Sequence, residues 1–243
     1  MQRELLHLYG PFSINSFGLM IIIGLVVFSY LLLKDRKRPS IISTENYFNI
    51  LPPGIIAGLV GGRLLFVITH WNTFNNWIEI FAIWHGGFSL LGGIIALIIV
   101  MPWYFKKYQI PILPFLDLIS IYAPLLQSIS RIGCYLGGCC FGCPAPYFFT
   151  IHPTQLYSAV ALFIIFIFQY LIARRWHLKP GQLFCIYLLL MSAERFCNDF
   201  FRGEREMSNS ITSLSVAQII SGIIFVSTCC TYYVFNSFKK NRS

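Results

Sequence analysis

The segment Arg131-Ile-Gly-Cys-Tyr-Leu-Gly-Gly-Cys-Cys-Phe-Gly-Cys143 sets an arginine inside an apolar run and follows it with paired glycines and clustered cysteines. The stretch before it, from Pro111 to Ile129, is almost wholly apolar. In a water-soluble core such a cation would be out of place. At membrane depth an ionisable side chain is expensive, which makes it a candidate for function. The glycines allow a backbone or a ligand to come close.

Working outward, the rest of the chain agrees with a membrane setting. Of 243 residues, 56% are hydrophobic and only 11% are charged, less than half the charge content of a soluble domain. Apolar runs long enough to span a bilayer recur, so the expected fold is all-α and polytopic. The short alternating segments of a transmembrane β-barrel are missing. The whole chain, 1–243, reads as one membrane-embedded domain. The run from Ser16 to Leu33 is long, carries its positive charges after it and shows no small-residue cleavage site, so it reads as a first transmembrane helix and not as a cleavable signal peptide.

The net charge is +9, yet its placement argues for topology and against nucleic acid. Most of the 18 Lys and Arg fall in four clusters: Lys34 to Arg38, Lys106 and Lys107, Arg174 to Lys179, and Lys239 to Arg242. Each cluster follows an apolar run. Seven spans result, at roughly 14–33, 49–69, 87–105, 111–136, 154–173, 182–201 and 213–235. The positive-inside rule puts the four basic ends in the cytoplasm, the N-terminus outside and the C-terminus inside. A multi-pass protein of a bacterial inner membrane is expected. The outer loops are then 70–86, 138–153 and 202–212. Trp71, Trp77 and Trp84 in the first loop suit the headgroup zone.

In this scheme Arg63, Arg131, Arg195 and Arg202 all fall toward the outer side. Asp199 stands at i+4 from Arg195, where the two can pair. Arginine forks match phosphate oxygens, so the set points to a phospholipid headgroup site. The competing reading is that each arginine bonds interhelical carbonyls or snorkels to the interface, and it applies most directly to Arg63. Asp117, at the cytoplasmic end of the fourth span, reads as solvated, and Glu194 has no assigned role.

The same residues carry a resemblance. Gly61-Gly-Arg63, Gly86-Gly-Phe-Ser-Leu-Leu-Gly-Gly93, Arg131-Ile-Gly-Cys134, Gly138 to Gly142, His152-Pro-Thr-Gln-Leu-Tyr157, Arg195 through Asp199-Phe-Phe-Arg202 and Ser215-Val-Ala-Gln218 together resemble bacterial prolipoprotein diacylglyceryl transferase. The resemblance implies seven helices with the N-terminus outside. It also implies transfer of the diacylglyceryl group of phosphatidylglycerol to the thiol of a lipobox cysteine in a preprolipoprotein, with glycerol phosphate leaving. Membrane lipids and the preprolipoprotein are the implied partners, and no metal or organic cofactor is called for. The chemistry needs cations on the departing phosphate and help in deprotonating the thiol. On this footing Arg131, Arg195, Asp199 and His85 are the catalytic candidates. Arg63, Arg131, Gly142, His152, Gln155 and Arg202 are the substrate-binding candidates.

The chain departs from the family pattern at four points. Leu91 stands where the family has a histidine important for activity, and Phe17 where it has a tyrosine. Cys134 replaces an asparagine and Cys139 a glutamate. His85, beside Gly86-Gly87, and His152 are the remaining base candidates. His152-Pro-Thr-Gln155 also reads as a helix start, with proline at the first position and an N-terminus suited to phosphate.

Cys139-Cys140-Phe-Gly-Cys143 contains a C-x-x-C, which fits a thiol-redox pair, a disulfide or small residues at a tight turn. Lack of a second close Cys or His pair argues against a metal site. Cys139 or Cys140 as a lipid-accepting nucleophile is a further reading. Three alternatives to the lipoprotein transferase follow: a lipid transferase with another acceptor, a thiol oxidoreductase using Cys140 and Cys143, and a non-catalytic phospholipid-binding protein.

Overall fold

The computed structural model describes residues 4–9, 12–73, 76, 80, 87–144, 151–176, 178–203, 207–209 and 212–240. Seven long helices dominate: α1 (Ser16–Lys34), α2 (Thr44–Thr69), α3 (Leu90–Lys107), α4 (Ile112–Leu136), α5 (Thr154–Arg175), α6 (Gln182–Asp199) and α7 (Val216–Lys240). Two small hairpins, β1 (Glu4–Tyr9) with β2 (Phe12–Asn15) and β3 (Met207–Asn209) with β4 (Thr212–Ser215), and two short 3-10 turns at Arg38–Ser40 and Trp71–Thr73 complete the described elements.

Side chains are distributed inside out. Leu90, Ile98 and Ile99 are 82%, 67% and 70% exposed. Gln169, Gln218, Ser120 and Ser158 are buried. Water would penalise the first set and reward exposure of the second; a hydrocarbon solvent reverses both preferences. Six of the seven helices are long and apolar enough to cross a membrane, so the protein is a multi-pass membrane protein. Helix α6 is the exception, because its 18 residues include Glu194, Arg195 and Asp199. Basic residues at the helix ends meet aromatic rings: Lys34 lies over Tyr30, Lys107 over Trp103, and Arg174 over Tyr170. These amphipathic pairs suit a headgroup zone.

The chain forms two units. One holds residues 36–115 with 10–12, and the other holds 1–9, 13–35 and 116–243. In the first, α2 and α3 cross at small residues. A Cβ on Gly61 would come within 2.6 Å of the Gly92 carbonyl, so the backbones touch as small-residue membrane interfaces do. Ser43 and Ser89 cap the two helices through Asn46 N and Gly92 N. Helix α2 begins at Thr44, ahead of the span expected from 49, because this cap carries the helix in front of Pro52-Pro53.

In the second unit Asp117 corrects the sequence reading. It is half-buried, and its carboxylate accepts from Gly181 N at 2.6 Å and Phe184 N at 2.8 Å. It therefore caps the start of α6, where the unpaired amides and the positive end of the helix dipole favour an anion. Nearby in sequence, Tyr122 donates to buried Asp35 at 2.5 Å, and Arg174 reaches the same carboxylate at 3.3 Å. Ser128 of α4 bonds the Ala159 carbonyl of α5, and Gln127 bonds Tyr187 of α6.

Candidate active site

Helix α4 ends in a turn that builds the site. Gly138 has φ +67° and donates to the Tyr135 carbonyl, while Cys139 N donates to the Cys134 carbonyl at 3.1 Å. This pair of bonds is the Schellman arrangement, with glycine in the left-handed position. It folds the chain back so that Cys139 lies over Cys134. Cys140 follows in a left-handed conformation of its own, φ +62°, which is costly for a non-glycine residue. The N-terminus of α5 holds it there: Thr154 Oγ1 donates to the Cys140 carbonyl at 3.0 Å, and Gln155 Nε2 to the Cys139 carbonyl at 2.6 Å. Gln155 is 2% exposed and its Oε1 is buried with no hydrogen-bond partner.

Beyond the turn, three segments lace together. Gly142 N donates to the His152 carbonyl, His152 N to Cys143, Cys143 N to Phe201, and Gly203 N to Phe141. Gly142 also bridges Arg202. A Cβ on Gly142 would overlap the His152 carbonyl and come within 2.7 Å of the Phe201 carbonyl. The geometry thus gives this substrate-binding candidate a structural duty: it lets Arg202 approach the α4 turn.

Arg131 lies in the last two turns of α4, and Arg195 and Arg202 near the end of α6. Each is partly buried. Arg195 is within electrostatic range of Arg131 and Arg202, as well as of Asp199 and Glu194. Among the described residues, neither Arg131 nor Arg195 makes an ion pair or a hydrogen bond. Asp199, 2% exposed, meets Arg202 at 3.9 Å and accepts a short bond from Ser215. Ser215 and Gln218 form a reciprocal capping box at the start of α7, Ser215 N to Gln218 Oε1 at 3.0 Å and Gln218 N to Ser215 Oγ at 3.1 Å. That box fastens α7 to Asp199. Its Ser-x-x-Gln spacing is visible in the sequence, but its role beneath the arginines is not.

His152 sits at the rim. Its Nδ1 is 3.3 Å from the Tyr157 hydroxyl, and its ring packs on Phe201. The Cα and Cβ of Phe17 lie against Gly133 and Gly137, so the residue at the position of the tyrosine starts at this end of α4 and brings no hydroxyl. Between α5 and α6 opens a cavity of about 280 Å³, lined by Tyr157, Ala161, Glu194, Cys197, Asn198 and Phe201. Glu194, which carried no role from sequence, accepts from Ser158 at 2.5 Å, and Asn198 Oδ1 is buried without a partner.

The cysteines group differently from the linear motif. The sulfurs of Cys134, Cys139 and Cys140 all lie within 4.8 Å of one another; Cys143 lies outside the group. The Cys140 thiol is pulled down to about 5, chiefly by hydrogen bonding from Cys134, with Cys139, Arg202 and Arg131 adding to the pull against the cost of burial. Burial pushes the Cys139 thiol up.

Arg63 belongs to the other unit. It is 9% exposed, donates to the Ile80 carbonyl at 2.9 Å and the Gly87 carbonyl at 3.0 Å, and stacks on Phe66. That is the interhelical strut of the competing reading. His85, with Trp77 and Trp84, lies outside the described residues. Leu91, at the position of the family histidine, is an exposed residue in the first turn of α3.

A family model described as Prolipoprotein diacylglyceryl transferase matches residues 3–234. The phosphatidylglycerol–prolipoprotein diacylglyceryl transferase of Clostridium tetani is 32% identical over 235 residues, covering 91% of this chain and 92% of its own length. The protein of the same name from Fervidobacterium nodosum is 28% identical, covering 98% and 87%. The second such transferase of Clostridium perfringens is 28% identical, covering 91% of each.

Proposed function

The chain belongs to the prolipoprotein diacylglyceryl transferase family, and on that footing we propose that it moves the diacylglyceryl group of phosphatidylglycerol onto the lipobox cysteine of a preprolipoprotein. The observation that carries the reading is the pair of partly buried guanidiniums, Arg131 and Arg195, that make no ion pair or hydrogen bond among the described residues, with Arg195 in electrostatic range of both Arg131 and Arg202. Uncompensated cations inside a membrane protein are costly. An incoming phosphate supplies the missing charge and suits the guanidinium forks.

In the reaction the lipobox sulfur bonds to the glycerol carbon that carries the phosphate. The carbon–oxygen bond breaks, and glycerol phosphate leaves with the electron pair. Arg131, Arg195 and Arg202 stabilise the charge that develops on that oxygen, as preorganised donors do. Asp199 and the Ser215–Gln218 box position Arg202. Leu91 offers no proton acceptor. His152 is the base candidate within the described residues: in the tautomer whose Nδ1–H donates to Tyr157, Nε2 is free to accept the thiol proton. The apolar cavity beside Phe201 suits an acyl chain.

The site faces the outer leaflet of the bacterial inner membrane in a seven-span arrangement, with α6 as the seventh crossing. The charges on α6 are tolerated because they face the unit's interior. Reporters fused after Lys37, Lys107, Lys179 and Lys240 are expected to read cytoplasmic and those at 143–150 external; an external signal after Lys107 would break the scheme. The direct test incubates purified protein with phosphatidylglycerol and a lipobox peptide. A diacylglyceryl adduct in the mass spectrum supports the reading. Phosphatidylglycerol binding without any adduct would favour the non-catalytic lipid-binding alternative.

A further inference from the structure

Three thiols gathered at one turn form an uncommon donor set. Cys134 and Cys139 are brought together by the Schellman turn, and Cys140 by its left-handed backbone. All three sulfurs lie within 4.8 Å of one another. Three sulfurs on one zinc ion at about 2.3 Å stand roughly 4 Å apart, so the trio closes on such an ion with side-chain adjustment alone. The turn beneath them is held by Thr154 and Gln155, which fixes the donors before any ligand arrives. Gln155 also leaves its buried Oε1 unpaired beside this turn, an acceptor that a metal-bound water can satisfy.

Charge fits as well. Three thiolates around a divalent ion leave a net negative centre. The charges of Arg131 and Arg202 both act on Cys140, and that of Arg131 also acts on Cys134 and Cys139, so the arginines offset that excess. Soft thiolate donors select thiophilic d10 ions over calcium or magnesium.

We propose that Cys134, Cys139 and Cys140 form a three-thiolate site for a thiophilic d10 cation of the zinc(II) class, with the fourth coordination position open. Each thiol loses its proton to solvent as its sulfur bonds the ion. A second consequence rests on the function proposed above: the loaded centre draws Arg131 and Arg202 toward the thiolates and weakens their hold on the phospholipid phosphate. Metal loading and lipid binding then oppose one another, and by linkage the effect is reciprocal.

The test uses the full chain in detergent, reduced with a phosphine and freed of metal, and titrated with zinc(II) against a chromophoric chelator. One ion per chain is expected. Cys134→Ser, Cys139→Ser and Cys140→Ser should each weaken binding by at least about tenfold, and Cys143→Ser should leave it unchanged. Absence of binding, or binding that survives the triple serine variant, overturns the site. Should serine at Cys134 disturb the fold, Cys139→Ala at the exposed position gives the same readout with helicity as control. Phosphatidylglycerol binding is then measured with and without zinc(II). Weaker lipid binding in the wild type, absent in the cysteine variants, supports the coupling. Zinc uptake with unchanged lipid binding overturns the coupling and leaves the site. Failure of metal-free protein to bind or transfer lipid overturns the proposed function, whereas the metal titration is read without lipid.

Discussion

Helix α4 carries charge chemistry at both ends, and the two ends differ in kind. Toward its start, Asp117 is bound by two backbone amides of α6, and Asp35 is shared by Tyr122 and Arg174. Toward its end, Arg131 and Arg195 make no ion pair or hydrogen bond among the described residues, and Arg202 is the one of the three that meets Asp199 within 4 Å. The first end is closed: anion and donors answer each other, and nothing is left for a ligand. The second holds more cation than anion. Burial alone does not distinguish a functional charge from a structural one; the completeness of its partners does.

The largest expected effect lies at the open end. Arg131→Ala or Arg195→Ala should lower diacylglyceryl transfer on the order of a hundredfold to a thousandfold, about 3–4 kcal/mol of lost stabilisation of the leaving phosphate, with weaker phosphatidylglycerol binding and an unchanged thermal midpoint. Arg131→Lys keeps the charge but loses the fork, so it should be impaired as well. Full activity and full lipid binding in both alanine variants would make the two ends alike and turn the arginines into struts.

The closed end should respond in the opposite currency. Asp35→Ala leaves the Tyr122 hydroxyl and Arg174 without their acceptor, and the loss of stability should be about 1–3 kcal/mol, read as a lower melting temperature in detergent. Transfer per folded molecule should stay within about twofold. A large catalytic defect at constant stability would contradict the division.

Smaller effects sharpen the boundary. Asp117→Ala removes a cap from α6, at a cost of about 0.5–2 kcal/mol. Because α6 also carries Arg195, the arm to watch is activity: a cap that only anchors the helix changes stability first. Arg63→Lys is expected to be the mildest. The lysine can still reach one of the two carbonyls, and the measured transfer rate should fall less than in Arg131→Lys.

The membrane class was legible in this sequence because a bilayer imposes length and polarity on every span, and both are linear properties. Arg131 and Arg195 stood out for the same reason, as charges where hydrocarbon is expected. The partners were not legible. Asp117 read as solvated, since its two amides come from residues more than sixty positions away. Arg63 and Arg131 both stood in apolar runs, yet carbonyls occupy Arg63, while Arg131 makes no ion pair or hydrogen bond among the described residues. The C-x-x-C of Cys140 and Cys143 gave no sign that Cys140 meets Cys134, because two positive-φ residues, Gly138 and Cys140, return the chain to it.

Linear pattern alone established that the chain is helical, apolar and multi-pass, and which cations lie in the spans. Which of those cations already have partners, and which thiols meet, depends on packing between distant segments. Hydrophobicity is summed along the chain, whereas a charge or a sulfur is satisfied only by the atoms that folding brings within a few ångströms of it.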